Sequence, residues 1–162
     1  MKKLVALALT LVSVFVFSTA LASSVAVENV TISVNGESIE EHLCENENEA
    51  LCIPLIPVAT KLGYTLDKSE LEEGGAYRVV YTLTPSQPGS QLMVAYSVEN
   101  ELPTAVAISK DQILLPLEQS MTLKDGLPYL PAEFFETGMC VEFSLDEDAG
   151  ILSITPIAQD AE

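Results

Sequence analysis

One pattern occurs twice in this chain, and it constrains the fold more than any other feature. The first copy spans Ile53–Asp67, with Pro54 and Pro57, the apolar Val58, Ala59 and Leu62, and a stop at Gly63; Tyr77–Pro85 follows a Gly74-Gly75 break. The second spans Leu130–Asp146, with Pro131, Phe134, Phe135 and a stop at Gly138; Ile151–Pro156 follows Gly150. Each copy reads as proline, short amphipathic helix, glycine, strand, acidic turn, strand and a closing Thr-Pro. A unit this small cannot bury its own apolar face, so repetition speaks for a scaffold in which neighbouring units cover one another. The pattern predicts an α+β fold of two related halves, each a short helix packed on a small curled antiparallel sheet. The halves run about 30–85 and 91–156, with Pro85–Ser90 as the linker.

Residues 1–22 read as a secretory signal peptide. Lys2 and Lys3 precede the apolar run Leu4–Phe17, and Ala20-Leu21-Ala22 is a small-x-small cleavage site. The mature chain is expected to start at Ser23 and to form a single domain over 23–162. The competing reading is an uncleaved anchor, because Leu4–Ala22 is nearly long enough to span a bilayer. No cysteine directly follows the apolar run, which argues against a lipoprotein. Once the signal is cleaved, no stable membrane insertion is expected.

Charge narrows the partners. The chain carries 24 acidic and 7 basic residues, for a net charge of −17, and Lys2 and Lys3 leave with the signal. Such a surface repels phosphate backbones, which excludes nucleic acid as a partner. It also repels anionic membranes and wall polymers, and it favours solubility outside the cell.

Along the mature chain, Val25, Val27, Val30, Ile32 and Val34 predict a strand with a phase break near Glu28-Asn29, and Asn35-Gly36 predicts a hairpin turn. Glu40–Ala50 reads as an acidic loop and Asp67–Gly75 as a polar turn. Helices are expected at Pro57–Leu62 and Pro131–Thr137, the second ended by Gly138. Leu92, Val94, Tyr96, Leu102, Val106 and Ile108 are mostly core by alternation, and any left exposed would make a β-edge docking surface.

The cysteines and acids carry the candidate chemistry. Cys44 and Cys52 flank the loop containing Glu45, Asn46, Glu47, Asn48 and Glu49. Export favours oxidation, so a Cys44–Cys52 bridge is one expectation; other pairings and three free thiols stay open. Cys140 reads as a small buried hydrophobe in a strand. His42 is the only histidine; with the cysteines its spacing fits no usual zinc site, and no nucleophile motif surrounds it. The acidic runs lack the ligand spacing of a calcium loop, and Asp146-Glu147-Asp148 suits a hairpin turn. Catalytic, cofactor and metal sites are therefore all expected to be absent.

The same residues carry a family resemblance. Asn35-Gly36, Ile53-Pro54-Leu55, Ala59 and Leu62-Gly63 resemble the "NG … VPLR-x-x-A-x-x-LG" signature of the copper amine oxidase-like N-terminal (stalk) domain. Lys124-Asp125-Gly126, Tyr129-Leu130-Pro131 and Phe134-Phe135 resemble its second copy, and Phe143–Thr155 is similar to its "WD-x-x-TKTVTI" hairpin. Ile56 replaces the usual arginine, Phe143 replaces the tryptophan, and the acidic insert Glu40–Glu49 has no counterpart. The resemblance implies a bacterial cell-surface module, not an enzyme, with a binding or spacer role at the envelope. Copper chemistry is not implied, because the chain lacks the quinone-forming tyrosine motif and the three histidines it needs. The partner is expected to be an extracellular protein or envelope component. The alternative is an extracellular inhibitor or ligand-capture protein that uses the Cys44–Cys52 loop for recognition.

Overall fold

The computed structural model describes residues 26–73 and 76–157. The signal segment, the expected start at Ser23 and the Gly74-Gly75 break lie outside the described residues. A 3-10 turn at Val27–Asn29 occupies the anticipated phase break. Then come β1 (Thr31–Val34), β2 (Glu37–His42), β3 (Cys44–Glu45), β4 (Leu51–Pro54), α1 (Leu55–Lys61), β5 (Tyr64–Glu73) and β6 (Ala76–Pro85). The rest is β7 (Leu92–Glu99), β8 (Leu102–Lys110), β9 (Ile113–Leu114), β10 (Thr122–Lys124), β11 (Leu127–Pro131), α2 (Ala132–Met139), β12 (Val141–Asp146) and β13 (Ile151–Pro156).

The expected α+β architecture of two helix-on-sheet halves is wrong. Strands account for 57% of the structure and helices for 13%, so this is a β-rich fold. Its three sheets have the orders β12-β13-β1-β2, β10-β11-β4-β3 and β5-β6-β7-β8-β9. All three mix the halves, the third through the antiparallel pairing of β6 with β7. β1 pairs in parallel with β13, from Thr31 opposite Ile151 to Val34 opposite Ile154. β4 pairs antiparallel with β11. Neither half completes a sheet of its own, because its edge is satisfied by the other half.

The repeat nevertheless survives locally. Pro54 and Pro131 are matching N-caps, both in extended conformation with φ near −64° and −63°. Counting back, Ile53 matches Leu130. Ile53 pairs with Leu130, Pro54 with Tyr129, and Cys52 with Pro131. Equivalent residues therefore face each other across a local pseudo-two-fold axis through the Ile53–Leu130 pair, the arrangement of an isologous contact. Both side chains are fully buried.

Neither helix has a side-chain cap. At seven and eight residues they are too short to persist alone, and packing holds them. α1 starts earlier than expected, which puts Pro57 in its first turn, where its missing N–H has no helical partner to lose. Gly63 follows its end at φ +87°. A Cβ there meets only Ser86 Oγ at 4.0 Å, so substitution is opposed by backbone conformation rather than by space. Gly63→Ala is expected to cost about 1–2 kcal/mol. A urea melt checks this, and an unchanged midpoint would mean that the entry to β5 relaxes freely.

α2 differs from expectation. Gly138 lies inside the helix, where a Cβ would come within 3.5 Å of Leu92 and 3.6 Å of Phe134. Those are ordinary van der Waals distances, so packing alone does not demand a glycine there. Cys140 ends the helix, at φ 55° in the left-handed region, with its N–H donating to the Phe135 carbonyl. It is a helix C-cap, not a strand residue.

The polar stretch Asp67–Glu73 is strand rather than turn: β5 pairs with β6 along its whole length, from Tyr64–Pro85 to Glu73–Ala76. Lys68 pairs with Glu70 at 2.5 Å on its exposed face. In the β7–β8 ladder the register slips between Ala95 and Ser97, and Ala105 sits at φ 48°. This bulge reverses the inside–outside phase of β8. Ile108 is buried, as are Leu92, Val94 and Tyr96, but Leu102 and Val106 are 47% and 41% exposed, contrary to the alternation. Buried residues from all three sheets and both helices, including Ile32, Leu130, Tyr96, Leu55 and Phe135, form one hydrophobic cluster. No helix among the described residues is long and apolar enough to cross a membrane.

Candidate recognition site

The acidic loop is a tight hairpin turn on a sheet edge. β2 and β3 take up much of the stretch expected as loop. β3 is the edge strand of its sheet and pairs with β4, Cys44 opposite Cys52 and Glu45 opposite Leu51. Beyond that ladder a single side chain organises the turn. Asn46 Oδ1 accepts from the backbone N–H groups of Asn48 and Ala50, both at 2.9 Å. Its Nδ2 donates to the Ser120 carbonyl at 2.8 Å. Asn46 N–H donates to Ala50 O, and Glu49 N–H to Asn46 O, each at 3.0 Å. Asparagine suits this because its short amide can mimic a backbone turn. Glu49 takes a φ of 60° to close the turn.

Of the five loop residues singled out from sequence, Asn46 is therefore a support, only 8% exposed. Glu45, Glu47, Asn48 and Glu49 are exposed around it. Sequence reasoning missed Ser120, whose carbonyl anchors the turn; a backbone acceptor carries no residue-type signal.

The base of the turn is less polar. Cys52 is buried and its thiol donates to the same Ser120 carbonyl at 3.8 Å. Cys44 is half-buried, and neither cysteine is in a disulfide. Burial pushes the Cys44 thiol up to about 11, with the Lys124 ammonium pulling it partly back. Burial, and then Cys44, push Cys52 up to about 12. Lys124 Nζ lies 6.0 Å from the Tyr129 ring centre. Burial first, then Cys44, Glu41 and Asp125, raise the Tyr129 hydroxyl.

The other sequence candidates sit apart. His42 is exposed on β2, opposite Thr31. Asp146 Oδ1 accepts from Ala149 N–H at 2.9 Å, closing the β12–β13 turn. Among the described residues no three His, Cys, Asp or Glu side chains are grouped so as to hold a metal ion. A cleft of about 300 Å³ opens between Tyr64, the Pro85–Ser90 connection and the end of α2, with Lys110 and Cys140 on its wall. Lys110 Nζ donates to the Thr137 carbonyl at 3.1 Å and lies 3.7 Å from Cys140 Sγ. Its role there is to satisfy the carbonyl end of the helix. Comparison with protein-family models, curated proteins and solved structures gave no match. The stalk-domain reading thus rests on its motif residues alone.

Proposed function

We propose that the chain is an exported, non-catalytic binding module of the stalk-domain kind, acting at the bacterial cell envelope, with the Glu45–Glu49 turn as its recognition element. One observation carries this reading. The buried Asn46 amide fixes the turn from within, so the surrounding carboxylates stand on a backbone that needs no ordering when a partner arrives. Pre-ordering lowers the entropic cost of association. The partner that fits three closely spaced carboxylates on a chain of net charge −17 is a cationic protein surface. An inhibitor or ligand-capture protein would use the same turn; a passive spacer would not need it.

Deleting the turn would remove Asn46 and unpin the sheet edge, so charge neutralisation is the cleaner test. The triple variant Glu45→Gln, Glu47→Gln, Glu49→Gln is compared with a charge-matched control at the exposed Glu99, Glu101 and Glu147. Binding of a synthetic lysine-rich peptide is measured by fluorescence anisotropy at low and physiological salt. The turn variant is expected to bind about tenfold more weakly than the control at low salt. Equal losses would assign binding to the overall field of the protein and remove the turn from the account. No binding by the parent chain would dismiss a cationic partner.

A further inference from the structure

The two cysteines at the base of the turn are brought together by strand register. Cys44 and Cys52 are directly opposed in the β3–β4 ladder. The Asn46–Ala50 hydrogen bond makes that pair hydrogen-bonded, and alternation along the ladder makes Cys44–Cys52 hydrogen-bonded as well. Opposed residues of this type have Cα atoms about 5.5 Å apart, with side chains on the same face. That separation lies within the range a disulfide spans. β3 is two residues long and, among the described residues, has no strand on its outer side, so it can make the small approach that bonding requires. Cys140 is engaged elsewhere, at the end of α2 beside Lys110.

We infer that Cys44 and Cys52 form a redox pair whose oxidation staples the β3–β4 hairpin and locks the acidic turn. The reaction is thiol–disulfide exchange with a low-molecular-weight disulfide such as oxidised glutathione. The Cys44 thiolate, on the more accessible of the two residues, attacks one sulfur of the small disulfide; the other half leaves as a thiolate and takes a proton. The Cys52 thiolate then attacks Cys44 Sγ in the mixed disulfide. The Cys44–Cys52 bond forms, the mixed bond breaks, and the second small thiol departs and is protonated. Two protein thiols are oxidised to one disulfide, and one small disulfide is reduced to two thiols. Because the thiolate attacks and burial holds the Cys44 thiol near 11, the rate rises with pH, about 100-fold from pH 7 to pH 9.

That the staple matters to recognition rests on the function proposed above; the staple itself does not. The mature chain is equilibrated with oxidised glutathione, unfolded at acid pH, alkylated and weighed intact, then mapped by peptide mass. The expected product is two hydrogens light, has one alkylated cysteine, Cys140, and yields a peptide joining Cys44 to Cys52. Three alkylated cysteines, a bridge to Cys140, or glutathione retained on Cys44 would each overturn the inference. Cys44→Ser, run in parallel, is expected to lose no hydrogens; a bridge in that variant would also overturn it. Lysine-rich peptide binding is then measured on both redox forms. A staple with no peptide binding in either form leaves the redox pair standing and removes the recognition reading. Peptide binding without a staple does the reverse.

Discussion

Ile53→Ala and Leu130→Ala are each expected to destabilise the protein by about 2–5 kcal/mol, and the double variant by less than their sum. Both side chains are fully buried, and they face each other on the local pseudo-two-fold axis. Removing either leaves a cavity that the other already borders, so removing the second costs less; a coupling of about 0.5–3 kcal/mol is expected for residues in contact. Denaturant melts of the parent, both single variants and the double variant measure it. The cycle also tests the interlocked architecture. Two independently folding halves would give additive losses and two separable transitions, whereas one shared core gives a single transition whose midpoint moves.

Asn46→Ala is expected to cost about 2–4 kcal/mol. It removes three hydrogen bonds at once, each worth roughly 0.5–1.5 kcal/mol, and deprives the Asn48 and Ala50 N–H groups of their acceptor. Peptide binding should fall with stability, although no carboxylate has been touched. Asn46→Asp separates the two sides of the anchor. It keeps an acceptor for the two N–H groups but places a carboxylate against the Ser120 carbonyl where a donor stood. Its stability is expected to lie between those of the parent and Asn46→Ala. If both variants match the parent in denaturant midpoint and peptide affinity, the turn is held by its backbone alone and the pre-ordering argument fails.

The sequence reading succeeded where alternation was clean and failed where it was not. On β6 the alternating set is Tyr77, Val79, Tyr81 and Leu83; the last three are buried but Tyr77 is 41% exposed, whereas Leu92, Val94 and Tyr96 on β7 were expected inside and are buried. Asp67–Glu73 was misread because neither face of that strand is apolar; its partner β6, not its composition, makes it extended. Nothing about an alanine announces a positive φ, so the bulge at Ala105 and the exposure of Leu102 and Val106 were invisible. The larger error concerned assembly. A repeat shows that two units share local rules, but it does not say which strand completes which sheet. β1 with β13, and β4 with β11, are contacts between distant segments. At the candidate site the presenting residues could be read from composition, while the anchor could not. Asn46 looked like one more polar loop residue, and its partner is a main-chain carbonyl far along the chain.

The parallel pairing of β1 with β13 also has a mechanical meaning. The chain enters the first sheet at Thr31 and leaves it at Pro156, on two neighbouring strands that point the same way. If the segment before Thr31 is held and the segment after Pro156 is pulled, the two strands are drawn past each other along their length. The ladder is then loaded in shear, with its hydrogen bonds strained together rather than peeled one at a time. A fold tied in this manner resists tension between its two ends better than one whose terminal strands sit in an antiparallel hairpin. The contact that defeats a two-halves reading is thus also the one that would bear load if the chain were stretched between two attachments.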